Sequence, residues 1–266
     1  MNELKPEFFF NLADQKAAGL FFMSEVVWEA LDRIKDYVRQ TMIPNVASIR
    51  RHGDLVGKNT IIWQGHYLTE DLELIHGDAT KGKFLVKHQG QILEGATVIY
   101  AGASFFDDEI ELGPGVVVEP GALIKGPTIV GPFTEVRQGA YVRGSCLIGR
   151  SCVVGHVSEF KNVVMLDEAK AGHFAYLGDS ILGRRVNLGA GTKLANLKFA
   201  SGPIRIRCLG QIFELTRKKF GAILGDDVET GCNSVTSPGA ILGPGAKVFP
   251  NATVSSGFHP AGSIIR

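Results

Sequence analysis

Residues 112–160 read LGPGVVVEPGALIKGPTIVGPFTEVRQGAYVRGSCLIGRSCVVGHVSEF, and this stretch decides the fold. An aliphatic or aromatic residue occupies every sixth position, and Gly, Pro, Ala and Ser crowd the positions between. The nine members of the series are Leu112, Val118, Ile124, Val130, Val136, Val142, Ile148, Val154 and Phe160. A period of six matches neither the 3.6 residues of a helical turn nor the alternation of a half-exposed strand. It is typical of hexapeptide-repeat β-helices, in which each hexad supplies one short strand and one corner.

The repeat predicts an all-β fold and divides the chain into three parts. Three hexads close one triangular coil of about 18 residues, so residues separated by one coil should stack on one face. We therefore expect a left-handed parallel β-helix at residues 105–266, preceded by an irregular β region at 44–104 and a helical segment at 1–43. The β region is interpreted either as an approach to the β-helix or as a sheet that caps its end.

A helix is predicted over residues 24–41, where apolar residues recur at helical spacing. Ser24 is a candidate N-cap, and Pro44 discourages continuation of the helix. The apolar stripe consists of Val27, Ala30, Leu31, Ile34 and Val38. This stripe could pack on the main body or on a neighbouring subunit.

The repeat is interrupted in two places, and function in a solenoid is expected where the regular wall is broken. The first break is a shift of frame around residues 171–179, and the repeat resumes at Leu182. The second is an insert at residues 196–219, rich in Arg and Lys, after which coils return at Leu224.

Composition excludes several classes of function. The 28 basic and 27 acidic side chains give a formal charge of +1, which suggests neither a nucleic-acid nor an anionic-membrane partner. No span approaches the ~20 apolar residues that cross a bilayer, and the amino terminus does not resemble a signal peptide. A cytoplasmic location is expected. The four cysteines show no CxxC pairing, so they are interpreted as reduced core or corner residues.

Three basic or titratable residues near the first break suggest chemistry. Arg143 and Lys161 are separated by three hexads, so the spacing stacks them on one face, where a guanidinium and an ammonium could bind a phosphate. The alternative is ordinary solvated surface. His173 lies among small and polar residues, where a neutral imidazole could act as a general base, although a packed or surface histidine is the alternative. His156 precedes His173 by close to one coil, but no third histidine has suitable spacing, so no metal site is predicted.

The amino-acid sequence around His173 resembles that of a known family. Residues 171–179 (AGHFAYLGD), 186–192 (VNLGAGT), Ala195-Asn196 and 225–228 (GDDV) resemble the acetyltransferase domain of bifunctional sugar-1-phosphate nucleotidylyltransferases and amino-sugar-1-phosphate N-acetyltransferases. The resemblance covers roughly residues 105–255. It implies a homotrimer that transfers acetyl from acetyl-CoA to a small-molecule amino-sugar phosphate.

The resemblance also implies roles for individual residues. His173 matches the catalytic base, and Asn187 matches the residue that orients the amine. The substrate-binding positions are Arg143, Lys161, Tyr176 and Asn196, with Arg137 as a competitor of Arg143. Ala190 matches the coenzyme A slot between subunits, to which Cys232 is also assigned. Backbone N–H groups near the frame shift are expected to stabilise the oxyanion.

Departures from the family leave alternatives open. Residues 1–43 cannot supply a nucleotidylyltransferase domain, so no uridylyl transfer is predicted. Asn196-Leu-Lys-Phe is closer to archaeal members, and Gly221 replaces a lysine of bacterial members. The alternatives are acyl transfer to another sugar or sugar nucleotide, with the 197–219 insert facing the acceptor, and a non-catalytic trimeric scaffold.

Overall fold

The computed structural model describes residues 2–198, 202–208 and 210–266. The helical elements lie almost entirely between Asn2 and His52. The α-helices are α1 (Pro6–Phe9), α2 (Ala18–Phe21) and α3 (Ala30–Thr41), and short 3₁₀ turns lie at Asn2–Leu4, Val27–Glu29, Ile49–His52 and Ala79–Lys81. The predicted helical segment is thus present, but its one long helix begins at Ala30.

Helix α3 buries the predicted apolar stripe, and Ser24 does not cap it. The 3₁₀ turn at Val27–Glu29 leads directly into the helix, and the Glu29 carboxylate accepts the N–H groups of Glu25 and Val26 at 2.8 and 3.4 Å. The Ser24 hydroxyl instead accepts a hydrogen bond from Arg33. A carboxylate at the third position therefore replaces the hydroxyl cap that the sequence suggested.

The irregular β region forms antiparallel structure at the first end of the β-helix. Its strands are β1 (Thr60–Trp63), β2 (His66–Leu68), β3 (Leu72–Ile75), β4 (Leu85–His88) and β5 (Gln91–Ile92). Strands β3, β4 and β5 form a separate sheet, whereas the β1–β2 hairpin pairs with the first strand of the β-helix. This hairpin caps the edge that an open stack of coils would otherwise expose.

The rest of the chain is a left-handed parallel β-helix, as predicted, with about nine coils in the described residues. Its first strands are β6 (Thr97–Ile99), β7 (Ser104–Phe105), β8 (Ile110–Leu112), β9 (Val117–Val118), β10 (Leu123–Ile124), β11 (Thr128–Val130), β12 (Glu135–Val136), β13 (Tyr141–Val142), β14 (Cys146–Ile148), β15 (Val153–His156), β16 (Glu159–Met165), β17 (Lys170–His173), β18 (Tyr176–Leu182), β19 (Asn187–Leu188) and β20 (Lys193–Leu194). The insert contributes β21 (Ile204–Cys208) and β22 (Gln211–Leu215). The last coils contain β23 (Ala222–Leu224), β24 (Glu229–Thr230), β25 (Val235–Thr236), β26 (Ala240–Leu242), β27 (Lys247–Val248), β28 (Thr253–Val254), β29 (Gly257–His259) and β30 (Ile264–Ile265).

Parallel pairing of these strands builds three faces. The first face contains β6, β9, β12, β15, β17, β19, β24, β27 and β30. The second contains β7, β10, β13, the start of β16 and of β18, β20, β25 and β28, and the third contains β8, β11, β14, the end of β16 and of β18, β23, β26 and β29. The six-residue series points inward from all three faces, and every member from Leu112 to Phe160 is buried at 3% exposure or less. Because β6 already pairs in parallel with β9, the coils begin before residue 105.

The helical segment covers the third face of the same chain. Its apolar side chains, including Leu31, Ile34 and Val38, form one cluster with an outward row of aliphatic residues on that face. The row consists of Ile129, Leu147, Val164, Ile181, Ile223 and Ile241, all of which are buried. The helical segment therefore shields this face from solvent, and burial of the apolar row stabilises that packing.

The repeat is one residue short at two stacked corners, and the shift predicted at residues 171–179 coincides with the second of them. Phe160 pairs with Val142, a full three hexads before it, whereas Val163 pairs with Cys146, which is closer by one position than three hexads. One residue is therefore missing at the corner that contains Asn162, which has a left-handed φ of 54°. The next corner on the same edge, at Asp179, is shortened in the same way, because Leu177 pairs with Phe160 and Ser180 with Val163. The corner of His173 lies between these two and keeps its full hexad.

The insert forms an antiparallel hairpin of β21 and β22, and residues 199–201 and Leu209 of the predicted insert lie outside the described residues. Ile204, Ile206 and Cys208 are buried in the cluster with the helical segment. Two of its basic residues form ion pairs, Arg205 with Glu214 at 2.6 Å and Arg217 with Asp32 at 3.3 Å. The hairpin thus packs with the helical segment.

Candidate functional site

Arg143 and Lys161 occupy neighbouring positions on the second face. Strand β13 pairs with β16 so that Val142 aligns with Phe160, and the next residues on each strand point outward side by side. Arg143 Nη1 lies 2.6 Å from Glu159 Oε1, and this hydrogen bond raises the pKa of the guanidinium. Lys161 forms no salt bridge in the described part of the chain. Of these two cations only Arg143 is thus neutralised by a described carboxylate, an arrangement that suits an anion better than a neutral ligand.

Tyr176 and Asn196 lie beside this pair. Tyr176 aligns with Glu159, and its hydroxyl donates a hydrogen bond to Asn196 Oδ1 at 3.2 Å. The buried Asn196 amide donates in turn to Asp179 Oδ2 at 2.6 Å. A Cβ on Gly178, the neighbour of Lys161, would lie 2.4 Å from Asn196 Nδ2 and 2.8 Å from the Tyr176 oxygen. Because Gly178 has no side chain, the Tyr176 hydroxyl and the Asn196 amide can both occupy the space above it, next to Lys161.

Burial, and then the nearby carboxylate of Glu159, raises the pKa of Tyr176, while Arg143 opposes this effect. The phenol thus remains a hydrogen-bond donor and acceptor at neutral pH. Asn196 has its amide oxygen and nitrogen engaged within the chain, so its observed contacts position Tyr176. A direct contact of Asn196 with a ligand would have to be added to these bonds.

His173 lies at the corner between the first and second faces. His156 and His173 are aligned neighbours on β15 and β17, so the spacing of the two histidines is one shortened coil. Ala190 and Cys232 occupy the same corner position in the next two coils, as the hydrogen bonds Gly191 N–H to His173 O (3.0 Å) and Asn233 N–H to Ala190 O (2.8 Å) show. His173 and Cys232 are exposed. One ridge therefore carries three of the residues assigned from sequence.

The backbone of this corner is already hydrogen-bonded. The N–H of Phe174 donates to His156 O at 2.9 Å, that of Ala175 to Ser158 Oγ at 2.9 Å, and that of Tyr176 to Thr192 O at 3.1 Å. These three N–H groups are not free to stabilise an oxyanion. An oxyanion site at other backbone N–H groups near the frame shift stays a prediction.

Asn187 and Arg137 lie on the first face, apart from the cation pair. Asn187 is exposed and aligned with Lys170, shortly before the corner position of Ala190. Arg137 forms an ion pair with Glu135 at 2.8 Å and lies one position before the corner. Of the two candidate arginines, only Arg143 is the direct neighbour of Lys161.

Sequence reasoning missed three residues of this surface. Lys125 lies three hexads before Arg143 and one coil below it, so the spacing rule that selected Arg143 also selects Lys125. Glu159 and Tyr141 flank Arg143, with Tyr141's ring centroid 5.9 Å from the guanidinium carbon. A shallow pocket of about 350 Å³ continues the site at the other end, lined by Tyr176, Lys193, Ala195, Asn196, Leu197 and Val235.

Within the described residues, no group of three His, Cys, Asp or Glu side chains is placed to bind a metal ion. The same residues contain no helix that is long and apolar enough to span a membrane.

Stacked hexapeptide coils with a polar second face define a β-helix protein of the hexapeptide-repeat class. Residues 124–258, half of the chain, match the family model described as the GMPPB C-terminal domain, and the chain belongs to that family. The match includes Arg143, Lys161 and the His173 corner, and it ends in the last coils.

Two curated relatives are similar to this chain over different lengths. The bifunctional sugar-1-phosphate nucleotidylyltransferase/acetyltransferase of Sulfurisphaera tokodaii is 36% identical over 102 residues, which is 38% of this chain and 25% of that protein. The bifunctional protein GlmU of Stutzerimonas stutzeri is 26% identical over 267 residues, which covers 92% of this chain and 54% of that protein. The chain thus spans about half the length of this GlmU.

Among solved structures, a mutant of perosamine N-acetyltransferase from Caulobacter crescentus, bound to CoA and GDP-perosamine, aligns at a TM-score of 0.29 and 20% identity. That alignment covers 64% of this chain and 56% of the other. A superposition this weak has no bearing on function.

Proposed function

We propose that this protein transfers an acetyl group from acetyl-CoA to the amine of an amino-sugar 1-phosphate. The observation that carries the proposal is the alignment of Arg143 with Lys161 beside Tyr176, around one corner from His173. A cation pair for a phosphate and an imidazole on the adjoining ridge are what this acceptor requires. The names of the two curated relatives, which include acetyltransferase and GlmU, support the same reaction.

In the proposed reaction the phosphate binds Arg143 and Lys161, and the Tyr176 hydroxyl contacts the sugar. His173 accepts a proton from the amine as its nitrogen attacks the thioester carbon of acetyl-CoA. The carbon–sulfur bond breaks, the new amide forms, and CoA leaves as the thiol once the thiolate is protonated. General-base assistance of this kind contributes typically about 10²–10⁴-fold.

The site is proposed to be completed by a neighbouring chain of a homotrimer, with acetyl-CoA along the His173, Ala190 and Cys232 ridge. A convex corner cannot enclose two substrates by itself. The same ridge exposes Val157 and Phe174 at 51% and 55%, both with left-handed φ angles. Apolar side chains held in an unfavourable backbone conformation suit a surface that a second copy covers. Asn187, on the first face, is proposed to act on the amine bound at a neighbouring copy's corner.

The test is release of free CoA thiol from acetyl-CoA with glucosamine 1-phosphate and galactosamine 1-phosphate as separate acceptors. The proposal expects acceptor-dependent thiol release with at least one of them. A chain that binds CoA in calorimetry but acetylates neither acceptor would contradict the assigned acceptor, and one that binds no CoA would contradict acetyl transfer itself.

A further inference from the structure

The outward row that contains Arg143 and Lys161 continues for two more coils beyond the proposed phosphate site. Strand β7 pairs with β10, and β10 with β13, so that Phe106, Lys125 and Arg143 follow one another in successive coils. Strands in a sheet are about 4.8 Å apart, so the row from Phe106 to Lys161 spans roughly 14 Å. This is too long for a single phosphate group.

Lys125 lies outside the proposed 1-phosphate site, and its surroundings suit a residue that binds a ligand. Its ammonium lies 5.4 Å from the ring centroid of Phe106 and 5.5 Å from that of Tyr141. Tyr141 also faces Arg143, so the two cations share one aromatic ring. Lys125 forms no salt bridge with any described residue, and Glu159 is the carboxylate that pairs with the row. Among the described residues only Arg143 of the three cations forms an ion pair, which leaves Lys125 and Lys161 available to an anion.

We propose that this row binds a nucleoside diphosphate, so that the acceptor class includes amino sugars carried on a nucleoside diphosphate. The phosphate next to the sugar binds Arg143 and Lys161, and the second phosphate binds Lys125. The base stacks on Phe106, which is 46% exposed. Stacking on an aromatic ring tolerates any base, so the proposal concerns the class of nucleotide and not its base. The acetyl transfer rests on the proposed function, whereas the diphosphate subsite is independent of it.

Binding is measured by calorimetry with inorganic phosphate, pyrophosphate, uridine diphosphate and guanosine diphosphate as probes. We expect the nucleoside diphosphates to bind at least about tenfold more tightly than phosphate, a difference of about 1.4 kcal/mol. Lys125→Met keeps the apolar stem and removes the charge. It should abolish the advantage of pyrophosphate over phosphate and reduce that of both nucleotides, while changing phosphate binding less than about twofold. Phe106→Ala should weaken the nucleotides but not pyrophosphate.

The matched control is Lys247→Met, on the first face, where the ammonium lies 4.0 Å from Glu229. Equal affinity for phosphate and nucleoside diphosphates overturns the proposal, as does a Lys125→Met variant no different from wild type or from the Lys247 control. Transfer to an amino-sugar 1-phosphate without preferential nucleotide binding would overturn this subsite alone. Preferential nucleotide binding without any acetyl transfer would instead contradict the proposed function and leave the subsite standing.

Discussion

Replacing the two cations of the proposed phosphate site should weaken catalysis by amounts that differ for a structural reason. A hydrogen bond to a charged group contributes about 1.5–3 kcal/mol. At about 1.4 kcal/mol for each factor of ten, Lys161→Met should lower kcat/KM for the sugar phosphate about 10- to 150-fold. Arg143→Met should lose about fivefold more, because it frees the Glu159 carboxylate that now lies 2.6 Å from the guanidinium. Adding Glu159→Gln to Arg143→Met should restore that fivefold factor.

The assay is steady-state thiol release at saturating acetyl-CoA, with thermal unfolding as a check that each variant folds. Arg137→Met is the matched control, because Arg137 forms its ion pair with Glu135 on the first face. It should stay within about twofold of wild type. An equal loss in Arg137→Met and Arg143→Met would contradict this phosphate site, since the phosphate would then bind on the other side of the corner.

The remaining predictions concern the ridge and the buried third face. His173→Ala should reduce kcat about 10²–10⁴-fold with little change in Tm, whereas His156→Ala, one coil below, should retain most activity; equal losses would contradict the assigned base. Ile181→Ala should lower the free energy of unfolding in urea by about 2–5 kcal/mol, because its fully buried side chain packs under the helical segment; a change below ~1 kcal/mol would mean that the segment does not seal this face. Cys232 is the exposed thiol of the four, and burial raises the pKa of Cys146 to about 12. A thiol reagent at pH 8 should therefore modify one cysteine rapidly in the native protein, and CoA should slow that reaction; rapid modification of several thiols, or no protection, would contradict this placement.

Much of the fold was predictable because a six-residue period dictates which side chains point inward. The same arithmetic predicted that Arg143 and Lys161 align, and it would also have found Lys125, which has the same spacing. Of the two shortened corners, the one at Asp179 was predictable, because the repeat resumes out of frame at Leu182. The one at Asn162 was masked, because Leu166 still places an apolar residue six positions after Phe160, although Met165 is the residue that continues the inward series.

Other features depend on contacts that no local pattern encodes. The apolar stripe of α3 predicted that one side of the helix is buried, but not that it covers the third face of its own chain. The role of Glu29 in place of Ser24 depends on the 3₁₀ turn before the helix. Likewise, the side-chain contact between Tyr176 and Asn196 arises from the missing Cβ of Gly178, one coil beyond Lys161.

The central claim, acetyl transfer at the His173 corner, is tested most directly by mass spectrometry of the amino-sugar phosphate after incubation with acetyl-CoA. The prediction is one acetyl group added to the amine, with an equal amount of CoA released, and a rate at least about a hundredfold lower in His173→Ala. Release of CoA without an acetylated sugar, or equal rates for the wild type and the variant, would contradict it.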